Sequence, residues 1–173
     1  MKTLQYQILT AAQAEKEQRA LYEVLHACVA EGASIGFISL DAQPMQHLWQ
    51  GVIISLANNN KQLIVARQHN EIVGTVIVVL AMPPNGEHRA EIAKLLVHPK
   101  ARRQGIAREL LRQAEKLAQR AGRSLAVLDT RTGDVAEQLY LSEGWQISGQ
   151  IPGYALSTEG IADATTVMYK FIE

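Results

Sequence analysis

The sequence predicts a three-layer α/β/α sandwich built on one mixed, mostly antiparallel sheet. Two helical segments come first, a run of strands joined by short turns comes next, and the second half alternates strands with helices. Short turns favour antiparallel neighbours, whereas a strand–helix–strand unit returns parallel to its first strand. A sheet that contains both needs helices on both faces. The 173 residues, 47% of them hydrophobic, suit a single domain over residues 1–173.

The first two helices are marked by caps and by apolar spacing. Thr10 and Gln13 form a capping-box pattern, and apolar residues then recur at helical intervals as far as Val29. Two glycines in "EGASIGF" interrupt that pattern. Asp41 is placed to cap a second helix, which ends at "ANNN". The first third of the chain is therefore predicted to be helix, loop and helix.

Strands and helices then alternate in a regular order. β-branched and apolar runs predict strands at 63–68, 72–82 and 90–97, separated by "HNE" and by the turn signal "PPNG". The remaining predicted elements are a helix at 105–121, a buried strand at 124–130, a helix at 134–144, strands at 145–150 and 165–172, and a polar loop at 151–164.

Composition excludes several classes of protein. Seventeen basic side chains balance seventeen acidic ones, which disfavours nonspecific nucleic-acid binding. Cys28 is the only cysteine and the five histidines are scattered, so no disulfide and no metal site is expected. The longest apolar run is too short to span a bilayer and no secretory signal is present, so we expect a cytoplasmic protein without a membrane partner.

The turn into the third predicted helix has the features of an anion site. A helix that starts just after a strand presents unpaired N–H groups and the positive end of its dipole. Gly105 would let a phosphate approach the backbone, and Arg102 and Arg103 add positive charge. The alternative is a simple turn with an ordinary solvated basic surface. The P-loop and Rossmann glycine patterns are both absent.

Two motifs in this region resemble those of the GNAT superfamily of N-acetyltransferases. The pattern R/Q-x-x-G-x-G/A is matched by Arg102, Gly105 and Ala107. A second pattern, A-x-x-x-Y-x-x-x-G-F/W, is matched by Ala136, Tyr140, Gly144 and Trp145. Segments such as "GASIGF", "LDTRTGDVAEQLY" and "IPGYALSTEG" are further similar to the tabtoxin-resistance type within that superfamily.

The resemblance implies acetyl-CoA as cofactor and a sheet that splays between its two central strands. Backbone N–H groups from Arg103 to Ala107 would hold the pyrophosphate, and pantetheine would pair with β backbone in the gap. The expected cofactor-binding residues are Leu95, Leu96, Val97, Arg102, Arg103, Gln104, Gly105, Ile106, Ala107, Arg108, Ala136 and Tyr140. Many members carry asparagine where Gly133 stands, so that side-chain contact is absent or supplied elsewhere.

Acetyl transfer needs a proton donor for the departing thiolate and a base for the nucleophile. Tyr140 matches the tyrosine position of the family and is our expected acid; the alternative is a plain core tyrosine. Glu91 and Asp129 are candidates for the base, directly or through water, and burial of Asp129 would raise its pKa. Strict alternation would put Glu91 on one face with Ala93, Leu95 and Val97, and Lys94 on the other with Ile92 and Leu96; a bulge would change this.

Loops at the open end of the gap are expected to bind the substrate. The expected substrate-binding residues are Ser34, Phe37, Arg89, Glu91, Asp129 and Tyr154. The resemblance favours direct transfer to an amine or hydroxyl of a small polar, amino-acid-like or antimetabolite substrate, hence detoxification. Peptide or protein N-acetylation and a noncatalytic acyl-CoA sensor remain alternatives. A homodimer is allowed, but the sequence indicates no interface.

Overall fold

The computed structural model describes residues 3–173 and contains a seven-stranded sheet with helices on both faces. The elements in chain order are β1 (Leu4–Leu9), α1 (Ala11–Lys16), α2 (Gln18–Ala30), α3 (Ala42–Ala57), β2 (Lys61–Gln68), β3 (Glu71–Val79), β4 (Arg89–Val97), α4 (Ile106–Arg120), β5 (Leu125–Arg131), α5 (Val135–Ser142), β6 (Gln146–Leu156) and β7 (Ala162–Phe171). Short 3₁₀ turns occupy Pro84–Gly86 and Pro99–Ala101.

The strands lie in the order β1-β2-β3-β4-β5-β7-β6. Only the central β4–β5 pair is parallel, because α4 carries the chain back across the sheet. The other five neighbouring pairs are antiparallel. The predicted α/β sandwich with a mixed, mostly antiparallel sheet is confirmed.

Two apolar cores fill the spaces on either side of the sheet. On one face α4 buries Ile106, Leu110 and Leu111 against β2, β3 and β4, together with Tyr140 of α5. On the other face α1, α2 and α3 pack over the same strands, and Trp49 is fully buried among them. The helices of this second face stop short of β5, β7 and β6, which leaves that part of the sheet open for a cleft.

The N-terminal prediction was incomplete. The capping box of Thr10 and Gln13 is present with both hydrogen bonds, but the first predicted helix is two helices that meet at Glu17. Asp41 begins α3 as expected, although its side chain makes no capping hydrogen bond. Strand β1 was not predicted, even though Leu4, Tyr6 and Ile8 alternate with glutamine as in a strand.

The predicted loop at 151–164 was wrong. Strand β6 runs on through Leu156, β7 already begins at Ala162, and the two form a long antiparallel hairpin. Gly149, Pro152 and Gly153 are usual loop residues, but an edge strand tolerates a proline because one side of it needs no ladder partner. Two register shifts in this hairpin, between Ile147 and Gly149 and between Ile151 and Ala155, accommodate these residues.

Candidate active site

A gap opens between β4 and β5 at the centre of the sheet. The two strands pair at Arg89–Leu125, Ala90–Ala126 and Glu91–Val127, and at no later position. Strand β5 stays paired with β7 along its whole length, from Leu125 to Arg131. The backbone edge of β4 beyond Glu91 is therefore not covered by β5, and the expected splay between the two central strands is confirmed.

A bulge in β4 lies beside this gap. Thr75 of β3 is opposite Leu96, but Ile77 is opposite Ala93, so β4 has one extra residue in between. Lys94 is that extra residue, and its backbone is left-handed, with φ of 52°. The fully buried Thr75 holds the bulge, because its hydroxyl donates to the Lys94 carbonyl over 2.9 Å.

The bulge changes the faces that strict alternation assigned to β4. Ala93 and Leu96 both pack on the α1–α3 side, whereas Leu95 and Val97 pack on the α4 side. The alternative with a bulge therefore holds: Glu91 and Ala93 do not share a face with Leu95 and Val97, and Leu96 does not share one with Ile92. One inserted residue moves every later side chain of the strand to the other face of the sheet.

The turn at residues 102–107, here called the cofactor turn, has the geometry of an anion cradle. Arg103 and Gly105 both have left-handed backbones, with φ of 63° and 76°. A Cβ built on Gly105 would have no heavy atom within 4 Å, so the glycine faces open space. Within the described chain, the backbone N–H groups of residues 103–107 donate to no protein acceptor. Adjacent N–H groups in such a turn, at the positive end of α4, are a strong anion-binding arrangement.

Some side chains around the cofactor turn are exposed to solvent, and others are held by hydrogen bonds or ion pairs. Arg102 and Arg103 are exposed, with the Arg102 guanidinium 4.0 Å from Glu31. Gln104 is held in place, since its amide oxygen accepts from Gln68 over 2.8 Å. Arg108 points the other way and forms an ion pair with Glu143 of the segment after α5.

Tyr140 lies on α5 beneath the sheet and is 6% exposed. Its ring packs at 5.9 Å from that of Trp145. Burial raises the pKa of the Tyr140 phenol, and the carboxylates of Asp129 and Asp134 raise it further, so the hydroxyl keeps its proton at neutral pH. This hydroxyl makes no hydrogen bond with any group in residues 3–173, which leaves it able to donate to a ligand.

The loop between β5 and α5 is held by a residue that sequence reasoning missed. Glu137 is buried, and its carboxylate accepts from the Gly133 N–H over 2.7 Å and from the Thr166 hydroxyl over 3.4 Å. Gly133 has a left-handed backbone, φ 81°. A glutamate in the first turn of a helix is a common helix-start feature, and no other signal marked it as special. Its effect is to fix the start of the helix that carries Tyr140.

A cleft of about 280 Å³, adjoined by a second pocket of about 210 Å³, lies on the α1–α3 side of the gap. Four of the predicted substrate-binding residues line it: Ser34, Glu91, Asp129 and Tyr154. Two do not. Phe37 packs against the α1–α3 core, and the Arg89 guanidinium lies against Gly86.

Polar residues that the sequence did not single out complete the lining of this cleft. They are Lys94, Thr130, Arg131, Asp163 and Thr165. The hydroxyl of Thr165 donates to Asp129 over 2.8 Å. Asp129 was expected to be partly buried, but it is exposed because β5 ends in the open cleft. Arg131 is neutralised by Asp134 at 3.3 Å and Asp163 at 3.8 Å.

Lys94 is the second cation of the cleft and is half-buried. Burial lowers its pKa most, and the nearby charge of Lys61 lowers it further, while Glu91 and Asp129 act in the opposite direction. The two carboxylates are near enough to act on its charge but do not form an ion pair with it.

A splayed β4–β5 pair, a bulged β4 and a cradle of free amides at the start of α4 define an acyl-CoA-binding type of α/β protein. Residues 6–145 match the Acetyltransferase (GNAT) family. This chain belongs to that family, and the predicted class of protein is confirmed.

Individual relatives agree with this assignment. Rat N-acetyltransferase 8B is 34% identical over 97 residues, which cover 55% of this chain and 44% of the relative. The chain thus spans less than half the length of that curated relative. A candidate acetyltransferase from Acinetobacter baylyi ADP1 has the same fold with a TM-score of 0.84, at 16% identity over 99% of this chain and 94% of its own.

A third relative has a structure that was solved with its cofactor. The Salmonella typhimurium protein yncA, solved with acetyl-CoA, superposes with a TM-score of 0.79 at 18% identity, over 99% of this chain and 95% of its own. These two low-identity structures support the fold. Separately, no helix in residues 3–173 has the length and apolar character needed to cross a bilayer.

Proposed function

We propose that this protein transfers the acetyl group of acetyl-CoA directly to an amine or hydroxyl of a small polar, amino-acid-like acceptor. The observation that carries the proposal is the β4–β5 gap. It connects the free amides of the cofactor turn with the charged cleft on the opposite face, and Tyr140 lies beside it. Donor and acceptor could therefore meet within the sheet.

The residues present fit acetyl-CoA. Gly105 leaves open the space that a Cβ would fill, and the unpartnered N–H groups of residues 103–107 suit a pyrophosphate. Arg102 and Arg103 are exposed beside them and add positive charge. The edge of β4 that faces the gap has no β5 partner beyond Glu91 and suits the amides of pantetheine, with Leu95 as the nearest candidate for pairing. When bound, acetyl-CoA supplies an activated acyl group on a thiol leaving group.

Tyr140 would supply the proton for the departing sulfur. Its raised pKa keeps it protonated, and its hydroxyl is not committed to another group of residues 3–173. The first turn of α5, with Ala136 and the buried Glu137, holds the helix that presents it. A buried phenol with a free hydroxyl is suited to donating one well-placed hydrogen bond.

Asp129 and Glu91 would attract an ammonium acceptor and remove its proton, directly or through water. Asp129 is better placed, because it lies where β4 and β5 have already separated, whereas Glu91 is still opposite Val127 in the paired part. Thr165 orients the Asp129 carboxylate. Ser34 and Tyr154 both line the cleft and would limit the size of the acceptor.

We also propose a domain organisation, a type within the family and a biological role for this protein. Residues 1–173 would act as one acetyltransferase domain of the tabtoxin-resistance type, with a role in detoxification. The segments "GASIGF" and "IPGYALSTEG", which motivated that resemblance, supply Ser34 and Tyr154 to the cleft. The β6–β7 hairpin on one side of the cleft favours a small acceptor over a long peptide.

A screen for acetyl-CoA consumption tests the proposal. Free thiol release is measured with amino acids, β-lactams, aminoglycosides, polyamines and short peptides, and calorimetry measures acetyl-CoA binding. We expect tight binding and turnover with members of the amino-acid set. Binding without turnover across the whole panel would instead identify a noncatalytic acyl-CoA sensor, and turnover with peptides alone would favour the peptide N-acetyltransferase alternative.

A further inference from the structure

The two cations of the cleft are in different electrostatic situations. Arg131 has two carboxylate partners, Asp134 and Asp163. Lys94 has none: in the described chain, residues 3–173, no carboxylate lies within ion-pair distance of its ammonium group. A half-buried cation without a partner is costly, and proteins usually pair it. The charge of Lys94 is therefore available to a ligand.

The backbone fixes where Lys94 stands. It occupies the extra position of the β4 bulge in a left-handed conformation, which costs a non-glycine residue free energy. The hydrogen bond from the buried Thr75 to its carbonyl holds that conformation. The result is a lysine on the lining of the cleft, with Glu91 and Asp129 as its neighbours there.

We propose that Lys94 binds an anionic group of the acceptor, a carboxylate in the simplest case, and so selects amino acids over plain amines. Three carboxylates, Glu91, Asp129 and Asp163, line the same cleft and attract an ammonium group. An acceptor with both charges satisfies both sets of residues. A simple amine or diamine satisfies only the carboxylates and is repelled by Lys94, so this lysine also acts against wrong acceptors. This inference rests on the proposed function.

Matched acceptor pairs test the proposal. Each amino acid is compared with its decarboxylated amine: lysine with cadaverine, ornithine with putrescine, arginine with agmatine, and histidine with histamine. The measured quantity is the ratio of kcat/KM for the acid to kcat/KM for the amine. A charge-assisted contact predicts a ratio of at least about 10 for the native protein, arising mainly in KM.

Three variants show whether Lys94 causes the preference. Lys94→Met should bring the ratio to about 1, because it lowers kcat/KM for the acid and raises kcat/KM for the amine. Its affinity for acetyl-CoA should be unchanged. Lys94→Arg should restore a large part of the ratio because it keeps the charge. Lys61→Met removes an equal charge from β2, which is two strands away from β4 and outside the cleft lining, and it should keep the native ratio. Thermal unfolding of each variant checks that it is folded.

The outcomes separate this inference from the proposed function. A native protein that acetylates amines and acids equally well, or a Lys94→Met variant that keeps the native ratio, overturns the role of Lys94 alone. A loss of the ratio in Lys61→Met as large as in Lys94→Met also overturns it, because general charge would then be the cause. Failure to bind acetyl-CoA, or to acetylate any member of either set, overturns the proposed function and the inference together.

Discussion

The two faces of the sheet beside the β4–β5 gap are built in different ways. On the α4 side the proposed ligand-binding groups are backbone amides of one short turn, above a close-packed apolar core. On the α1–α3 side the cleft is lined by charged side chains from β4, β5 and β7 and by uncharged residues of the loop after α2. Its rim includes Tyr154 of the exposed edge strand β6.

This difference assigns separate tasks to the two faces. Backbone amides recognise any phosphate of suitable shape and change little with the identity of nearby side chains. A lining of side chains can change without disturbing the fold, so it can determine which acceptor enters. Changes on the α4 side should therefore affect the cofactor or the chemical step, and changes in the cleft should affect the acceptor.

The largest effect is expected at Tyr140, which lies on the α4 side and is our proposed proton donor for the chemical step. Tyr140→Phe removes the proton donor and should lower kcat by about 100-fold or more. Affinity for acetyl-CoA should change by less than about twofold, and stability should change little, because the hydroxyl has no hydrogen-bond partner in residues 3–173. Steady-state kinetics and calorimetry measure these quantities.

Tyr169 offers a matched control for that variant. Tyr169→Phe removes a phenol hydroxyl whose partner is Gln146, at the other end of β7 from the cleft. Full activity in Tyr169→Phe together with a large fall of kcat in Tyr140→Phe supports the role of Tyr140 as the proton donor. A fully active Tyr140→Phe would leave Tyr140 as a core residue only.

The cofactor turn should show the next largest effect. Gly105→Val places a branched side chain in a left-handed backbone conformation and blocks the approach to the amides. We expect acetyl-CoA to bind about 10- to 100-fold more weakly, since at least one charge-assisted hydrogen bond is lost. Titration calorimetry measures the dissociation constant.

The β6–β7 turn supplies the control for Gly105. Gly160 also has a left-handed backbone, φ 81°, and free space around it, so Gly160→Val introduces similar strain far from the cofactor turn. Its affinity for acetyl-CoA should be native. Equal weakening in both variants would mean that strain, rather than access to the amides, explains the loss.

The cofactor turn could be predicted from sequence because its parts are close together in the chain. Arg102, Gly105 and Ala107 stand within six residues, and the strand and helix on either side have clear apolar patterns. The layers of the sandwich could be predicted for the same reason. The second half of β6, from residue 151 to 156, could not, because an exposed edge strand has no buried face to produce alternation.

The cleft could be predicted only in part because its parts are far apart in the chain. Lys94, Arg131 and Thr165 come together from three strands whose pairing is not encoded in any local pattern. The bulge at Lys94 adds a second obstacle, since one extra residue reverses the face of each later side chain in β4. Ser34, Glu91, Asp129 and Tyr154 were found through the resemblance to a family and through their chemistry, not from packing.

A smaller effect is expected for a change at Asp129, which lies in the cleft on the α1–α3 side. Asp129→Asn should lower kcat/KM for the acceptor by about tenfold and leave acetyl-CoA affinity unchanged. Asp41→Asn, at the exposed start of α3, is the control. A native kcat/KM in Asp129→Asn would transfer the role of base to Glu91, to be checked with Glu91→Gln.

The smallest effect concerns the ion pairs that hold the α4 face together. Glu143 accepts from Arg112 over 2.9 Å and also pairs with Arg108, which joins α4 to the end of α5. The hydrogen bond from Arg112 lowers the pKa of Glu143 most, against the opposing effect of desolvation. The Glu143 side chain is only 8% exposed, but the Arg108 and Arg112 side chains are 41% and 53% exposed, so solvent screens both ion pairs. Glu143→Gln should therefore lower the free energy of unfolding at pH 7 by only about 1 kcal/mol.

The pH dependence of that loss has a definite sign. A carboxyl whose pKa is lower in the folded state stabilises the protein above its unfolded pKa of about 4.3, and this contribution is lost as pH falls through the folded value. Urea unfolding should therefore separate native protein and Glu143→Gln at pH 7 and bring them together once the pH lies below the folded pKa of Glu143. An equal difference at both pH values would mean that packing, rather than charge, is responsible. The α4 face would then owe its rigidity to its apolar core alone, and the contrast with the charged cleft would be sharper.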